Sequence, residues 1–167
     1  MAIRVLVTGG TIDGLDYSRE SDAPKRRRSR VPSIFKDARI TSGHSISILF
    51  LKDSRFIDSA DLESLASACR RCAEKRILVT HGSMTMPATA KYLASKKLGK
   101  TIVLTGAITP AAHSVSDSKF NIGFAFAAAQ FLPAGVYVAM NGKVFPASNV
   151  RKNMKTGYFE NERGQKR

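Results

Sequence analysis

Five short runs rich in aliphatic and β-branched residues recur along this chain, and polar or helix-like stretches separate them. That alternation constrains the fold more than anything else in the sequence. The runs are Ile3–Val7, Ile46–Leu51, Arg76–Thr80, Thr101–Thr105 and Gly135–Met140. Runs that are mostly apolar suit strands covered on both faces of a parallel sheet. Asp58 or Ser59 can cap a helix reaching about Lys75, with Leu62, Leu65, Ala66, Cys69 and Cys72 on one face at helical spacing. Pro87 fits the first turn of a second helix, where its missing N–H costs nothing. That helix is expected to run to about Lys97 before Gly99 stops it. A third, Asn121–Phe131, is rich in Ala and Phe, and Phe120, Phe124, Phe126 and Phe131 read as core. Asn141-Gly142 suits a type I′ turn, in which both central residues need positive φ, so Lys143–Phe145 should return antiparallel. The predicted fold class is α/β: a three-layer sandwich with a mostly parallel sheet flanked by helices, plus a C-terminal β-hairpin.

A length of 167 residues fits about one domain. The expected division is an α/β domain over 1–160 and a polar tail over 161–167. Within the domain, 13–45 reads as a flexible active-site loop with a basic insertion, because it lacks periodicity and carries Lys25-Arg26-Arg27-Arg28-Ser29-Arg30. Lys plus Arg number 27 against 13 Asp plus Glu, a net charge of +14. Such a surface attracts anions, so weak polyanion or nucleic-acid binding is one expectation; a solvated basic loop is the plainer one. With 43% hydrophobic and 24% charged residues, the chain is not of the wholly disordered class. No apolar run nears the ~18 residues that cross a bilayer. The opening MAIRVLVTGGT is too short in apolar residues for a secretory signal, so no membrane and a cytoplasmic location are expected. Cys69 and Cys72 fall inside a helix, without further ligands at zinc spacing, and read as packed thiols. His44 and His113 stand alone, and no metal cluster is expected.

In open α/β sheets, ligands bind at the carboxyl ends of the strands. Three strands here run into glycine-containing segments with hydroxyls: Thr8-Gly9-Gly10-Thr11, Thr80-His81-Gly82-Ser83-Met84-Thr85 and Thr105-Gly106-Ala107. Glycines let the backbone approach a ligand closely. A hydroxyl beside free N–H groups is the layout of a covalent nucleophile near an oxyanion hole. Taken singly, each segment also reads as a tight turn. A phosphate cradle is disfavoured, because TGGTI lacks both GxGxxG and the P-loop lysine. His81 reads as a structural residue near the site rather than a general base.

Together these segments resemble the bacterial-type L-asparaginases, the glutaminase-asparaginase family, and most closely its small members that match the N-terminal domain. The resemblance rests on Val7-Thr-Gly-Gly-Thr-Ile12, Val79-Thr-His-Gly-Ser-Met-Thr-Met86 and Val103-Leu-Thr-Gly-Ala107. It continues through Asp117-Ser-Lys-Phe-Asn121 and Gly135–Gly142 to Val150-Arg-Lys152. It implies an asparaginase-like amidohydrolase that releases ammonia from the side-chain amide of L-asparagine or a related small amide, without metal or organic cofactor. Thr11 would be the nucleophile and Tyr17, on the following loop, would assist. Ser83 and Lys152 would relay the proton, since a lysine can act as base once burial or neighbouring cations lower its pKa. Gly10, Ser54, Gly82 and Met84 would line the substrate site, with Ser54 on the substrate carboxylate. A homodimer is implied by the family alone.

The departures from the pattern are specific. Where the family has an aspartate that holds the substrate's α-ammonium, this chain has Met84, an uncharged weak acceptor. Arg55 stands where glutamine or a small residue is usual, and Thr109 where the family has arginine. Two alternatives therefore accompany the hydrolase: a catalytically impaired relative that binds a small carboxylate or amide, and a polyanion binder.

Overall fold

A computed structural model describes residues 2–23 and 28–162. Lys25, Arg26 and Arg27 of the basic cluster, and residues 163–167 of the polar tail, lie outside the described residues. Six strands form one sheet: β1 (Ile3–Gly9), β2 (His44–Lys52), β3 (Arg76–Thr80), β4 (Thr101–Thr105), β5 (Gly135–Met140) and β6 (Lys143–Pro146). Their order is β2-β1-β3-β4-β5-β6. All neighbours are parallel except β5 and β6, which meet antiparallel across the Asn141-Gly142 turn. Asn141 and Gly142 take φ of 53° and 77°, as a type I′ turn requires. The central strands are buried on both faces, which is why they read as continuous apolar runs.

Helices cover both faces. On one side, α2 (Ser59–Arg71) and α3 (Met86–Ser95) bring Leu65, Cys69, Met86 and Leu93 against Leu6, Ile77, Val79 and Leu104. On the other, α1 (Val31–Asp37) and α4 (Ser118–Phe131) bring Phe35, Ile122 and Phe126 against Val5, Val7, Leu78 and Val103. The result is the expected three-layer α/β sandwich. Asp58 caps α2 in a capping box with Asp61. The described helices include none long and apolar enough to cross a membrane.

Several details differ from the sequence reading. The 13–45 stretch holds α1, whose single buried face of Val31, Ile34 and Phe35 is too short to register as a period. α2 ends at Arg71, short of Lys75, because Cys72 turns extended and the buried Lys100 donates to the Arg70 and Cys72 carbonyls. α3 ends at Ser95, since Lys97 rather than Gly99 makes the first left-handed turn, at φ 47°. Of the four α4 phenylalanines only Phe126 is core; Phe120 and Phe131 are mostly exposed, because the buried face runs through Ile122, Ala125, Phe126 and Ala129. A second antiparallel pair, β7 (Arg151–Lys152) with β8 (Phe159–Glu160), buries Phe159 in a stretch for which no strand was expected.

Strand order reverses about β1 and β3: the chain goes outward to β2, then crosses to the far side. The crevice beyond the carboxyl ends of β1 and β3 is the place where such a sheet accepts a ligand.

Candidate active site

The turns after β1 and β3 and the loop after β2 meet at that crevice. Gly10 has φ 87°, and a Cβ there would land on the His81 and Gly82 backbone. A Cβ on Gly82 would in turn come within 2.5 Å of Ser54 Oγ and 2.6 Å of Ser54 Cβ. Three chain segments therefore stack at a spacing that only glycine permits. Gly10 N–H also donates to the Lys52 carbonyl at 3.0 Å, fixing the β1 turn to the end of β2.

A cavity of about 240 Å³ opens over this stack. Its lining brings together Thr11, Ser54, Gly82, Ser83, Met84 and Lys152, residues separated widely in sequence. Gly10 stands behind Gly82 and supports it. Thr11 opens a 3-10 turn, Thr11–Asp13, at the mouth of β1. Ser54 is 2% exposed, and its hydroxyl has no hydrogen-bond partner among the described residues. A buried hydroxyl without a protein partner is free to donate to a group that reaches it.

Lys152 arrives from β7. Its Nζ donates to Ser83 Oγ at 2.8 Å and lies 3.4 Å from Met84 Sδ. Burial lowers its pKa below the ordinary lysine value, and the charge of Asp16 opposes that shift. The Ser83–Lys152 pair is thus a hydroxyl and a partly desolvated amine in direct contact.

Sequence reasoning did not place Leu15, Asp16, Asp53 and Ile108 in the lining, and it noted Arg55 only as a departure. Asp53 and Arg55 form a tight ion pair at 2.5 Å; Arg55 also reaches Asp16 Oδ1 at 2.6 Å and the Tyr17 carbonyl at 2.8 Å. Burial pushes the Asp53 carboxyl up, but its bonds from Arg55 and Tyr17 outweigh that and hold it below the usual range. The available signal was adjacency, since Asp53 and Arg55 flank Ser54. Ile108 is presented by a loop that Asp117 braces, accepting from the Ile108 and Thr109 N–H groups at 3.0 Å. Asn121 then ties Asp117 to the Gly106 carbonyl and accepts from Asn141 N–H.

Tyr17 stands beside the cavity rather than in its lining. Its hydroxyl accepts from the Asp53 backbone N–H at 3.1 Å, and its ring stacks on Phe56 with centroids 5.2 Å apart. His81 is buried, with Nδ1 on the Gly82 carbonyl and Nε2 on Thr89 Oγ1, the structural role expected of it. Cys69 is buried with its thiol pushed up to about 12 by desolvation, and Cys72 lies beside it as a free thiol. Among the described residues, no three His, Cys, Asp or Glu are grouped to hold a metal ion.

The family model described as Asparaginase, N-terminal, matches residues 2–160. The chain is 30% identical over 165 residues to a probable periplasmic L-asparaginase of Haemophilus influenzae, covering 92% of this chain and 47% of that protein. The thermostable L-asparaginase from Thermococcus kodakarensis superposes with a TM-score of 0.77 at 28% identity, covering 96% of this chain and 51% of that one. The probable cytoplasmic L-asparaginase from Campylobacter jejuni gives 0.79 at 26% identity, with 95% and 52% covered. This chain spans about half the length of these relatives. With the fold, the strand-end glycine segments and the family match over residues 2–160 in agreement, the chain belongs to the asparaginase family, in the part that forms its N-terminal domain.

Proposed function

We propose that this chain is an asparaginase-like amidohydrolase that cleaves a small side-chain amide, L-asparagine or a close relative, to the acid and ammonia. The observation that carries the reading is the 2.8 Å contact of Lys152 Nζ with Ser83 Oγ in the cavity that Thr11 also lines. A threonine hydroxyl is a weak nucleophile until a base takes its proton. In this reading Lys152 accepts that proton through Ser83, and Thr11 Oγ1 attacks the amide carbon. The carbonyl oxygen becomes an oxyanion. The first N–H groups of the Thr11–Asp13 turn lack partners within the turn and would receive it. One such donor is typically worth about 3 kcal/mol. Collapse breaks the C–N bond, and ammonia leaves with a proton returned from the Ser83–Lys152 pair. Water then cleaves the acyl-Thr11 ester by the same route. The chemistry needs no metal or organic cofactor. Ser54, Gly82 and Met84 hold the substrate, and the unpartnered Ser54 hydroxyl donates to its carboxylate. Tyr17 assists only after its hydroxyl leaves the Asp53 N–H.

The test is ammonia release from L-asparagine, L-glutamine and a small amide panel by the wild type beside Thr11→Ala. Turnover that vanishes in the variant supports the reading; turnover that persists refutes Thr11 as nucleophile. A second reading, a catalytically impaired binder of the same ligands, is favoured by Met84, whose uncharged sulfur faces Lys152. Binding of the product acid without turnover of any amide would select it. A cytoplasmic setting fits the two free thiols. A homodimer and weak polyanion binding by the +14 charge complete the proposal; sedimentation and salt-dependent binding test them.

A further inference from the structure

The reacting amide occupies one end of the cavity, and the rest of the lining decides what the acyl chain can carry. Among the described residues two carboxylates contribute to that lining, Asp16 and Asp53, and both are bound to Arg55. Asp53 is buried and its oxygens are fully engaged, by the Arg55 backbone N–H, the Arg55 guanidinium and the Tyr17 N–H. Its charge is matched before any ligand arrives. Asp16 gives Oδ1 to Arg55 and is otherwise mostly exposed to water. Among the described residues Lys152 bonds to the Ser83 hydroxyl and meets the Met84 sulfur, neither of them charged, and it feels the charge of Asp16 without pairing with it.

A ligand ammonium entering this lining meets two cations, a thioether and carboxylates already paired. It would lose water and gain only the exposed second oxygen of Asp16, whose charge is already shared with Arg55. A ligand carboxylate meets the reverse: the buried, unpartnered Ser54 hydroxyl and a guanidinium whose bond to the exposed Asp16 can be exchanged. We infer that the pocket selects ω-amides of dicarboxylic acids that lack an α-ammonium, succinamate being the simplest, over α-amino acid amides, and that Met84 is the specificity-determining residue. The inference rests on the hydrolase reading for the position of the amide at Thr11. The reaction is plain hydrolysis: the amide C–N bond breaks, a C–O bond to water forms, and succinate and ammonia leave without change of oxidation state.

Succinamate and L-asparagine differ only in a hydrogen replacing the α-ammonium, so they isolate the claim. The 167-residue chain and its Met84→Asp and Met84→Leu variants are assayed for ammonia release from each, and titrated calorimetrically with the products succinate and L-aspartate. The expected result is a kcat/KM ratio favouring succinamate by roughly tenfold or more in the wild type. Met84→Leu should keep that ratio, and Met84→Asp should move it toward L-asparagine by about tenfold. A wild type that prefers L-asparagine overturns the selection and leaves the hydrolase standing. So does a Met84→Asp variant that is folded but has an unchanged ratio. Should that variant fail to fold, the wild-type and Met84→Leu ratios decide. If no amide is turned over, the hydrolase reading fails and the titrations decide the selection: succinate binding more tightly than L-aspartate upholds it, and the equal or opposite order overturns it.

Discussion

His81 supplies a pH dependence of stability that can be worked out in advance. Its Nδ1 lies 2.8 Å from the Gly82 carbonyl oxygen, which can only accept, so the proton sits on Nδ1. Nε2, 3.0 Å from Thr89 Oγ1, then accepts from that hydroxyl. Complete burial disfavours a charged ring and lowers its pKa from 6.5 to about 4, against a smaller opposing effect of the Gly82 bond. In the unfolded chain the same ring titrates near 6.5. Between these values the unfolded state binds more protons, so stability must fall as pH falls. The contribution is complete above pH 6.5 and is lost progressively toward pH 4. At 1.36 kcal/mol per unit the whole interval is worth about 3 kcal/mol, and about 2 kcal/mol of that is lost by pH ~5. The assay is urea unfolding of the wild type and His81→Gln at pH ~7.5 and ~5, since subtracting the variant's own pH dependence removes the carboxylates that titrate in common. A wild type whose loss equals that of His81→Gln refutes the argument, because the ring would then not be held neutral by burial.

Other outcomes follow from the same geometry. Gly82→Ala forces a methyl into Ser54, so it should lower stability by about 1–3 kcal/mol, read as a fall in Tm, and should weaken binding of a carboxylate ligand. Lys152→Met should cut kcat by roughly a hundredfold or more. In the wild type, kcat should rise with pH along a limb below 10.5, because the neutral amine is the active form and burial lowers its pKa; a flat profile would contradict the base. Lys100→Met should leave the Arg70 and Cys72 carbonyls unpaired at the end of α2 and cost about 1–3 kcal/mol in chemical unfolding. A variant as stable as the wild type would show that water replaces the ammonium there.

The sheet was legible because its strands are buried on both faces: a run such as Ile102-Val103-Leu104 is wholly apolar and leaves little freedom of assignment. The Asn141-Gly142 turn was equally plain, since few residues tolerate its two positive φ values. What failed was short or two-sided. α1 buries three residues in two turns, and β7 and β8 are two residues each, lengths at which no period exists. The α4 phenylalanines misled because composition was read without phase: Phe120 stacks on Phe124 one turn away and stays mostly exposed, while the buried face runs through Ile122 and Phe126. At the site, the resemblance named Thr11, Ser54, Ser83, Met84 and Lys152, and the fold brings them into one cavity. The Asp16–Arg55–Asp53 cluster was not legible. Asp16 and Arg55 lie 39 residues apart, and an ion pair at that separation leaves no local pattern.

The distance in sequence between Lys152 and Ser83 bears on how the pocket is assembled. Ser83 precedes its lysine partner by 69 residues, and that lysine is brought back by the small β7–β8 strand pair. A growing chain can therefore assemble β1 to β5 and the glycine stack while its hydroxyls remain chemically idle. On the proposed mechanism, the base joins those hydroxyls only when a strand of two residues docks. In that reading, a chain lacking β7 keeps Thr11 and Ser83 but not the amine that activates them.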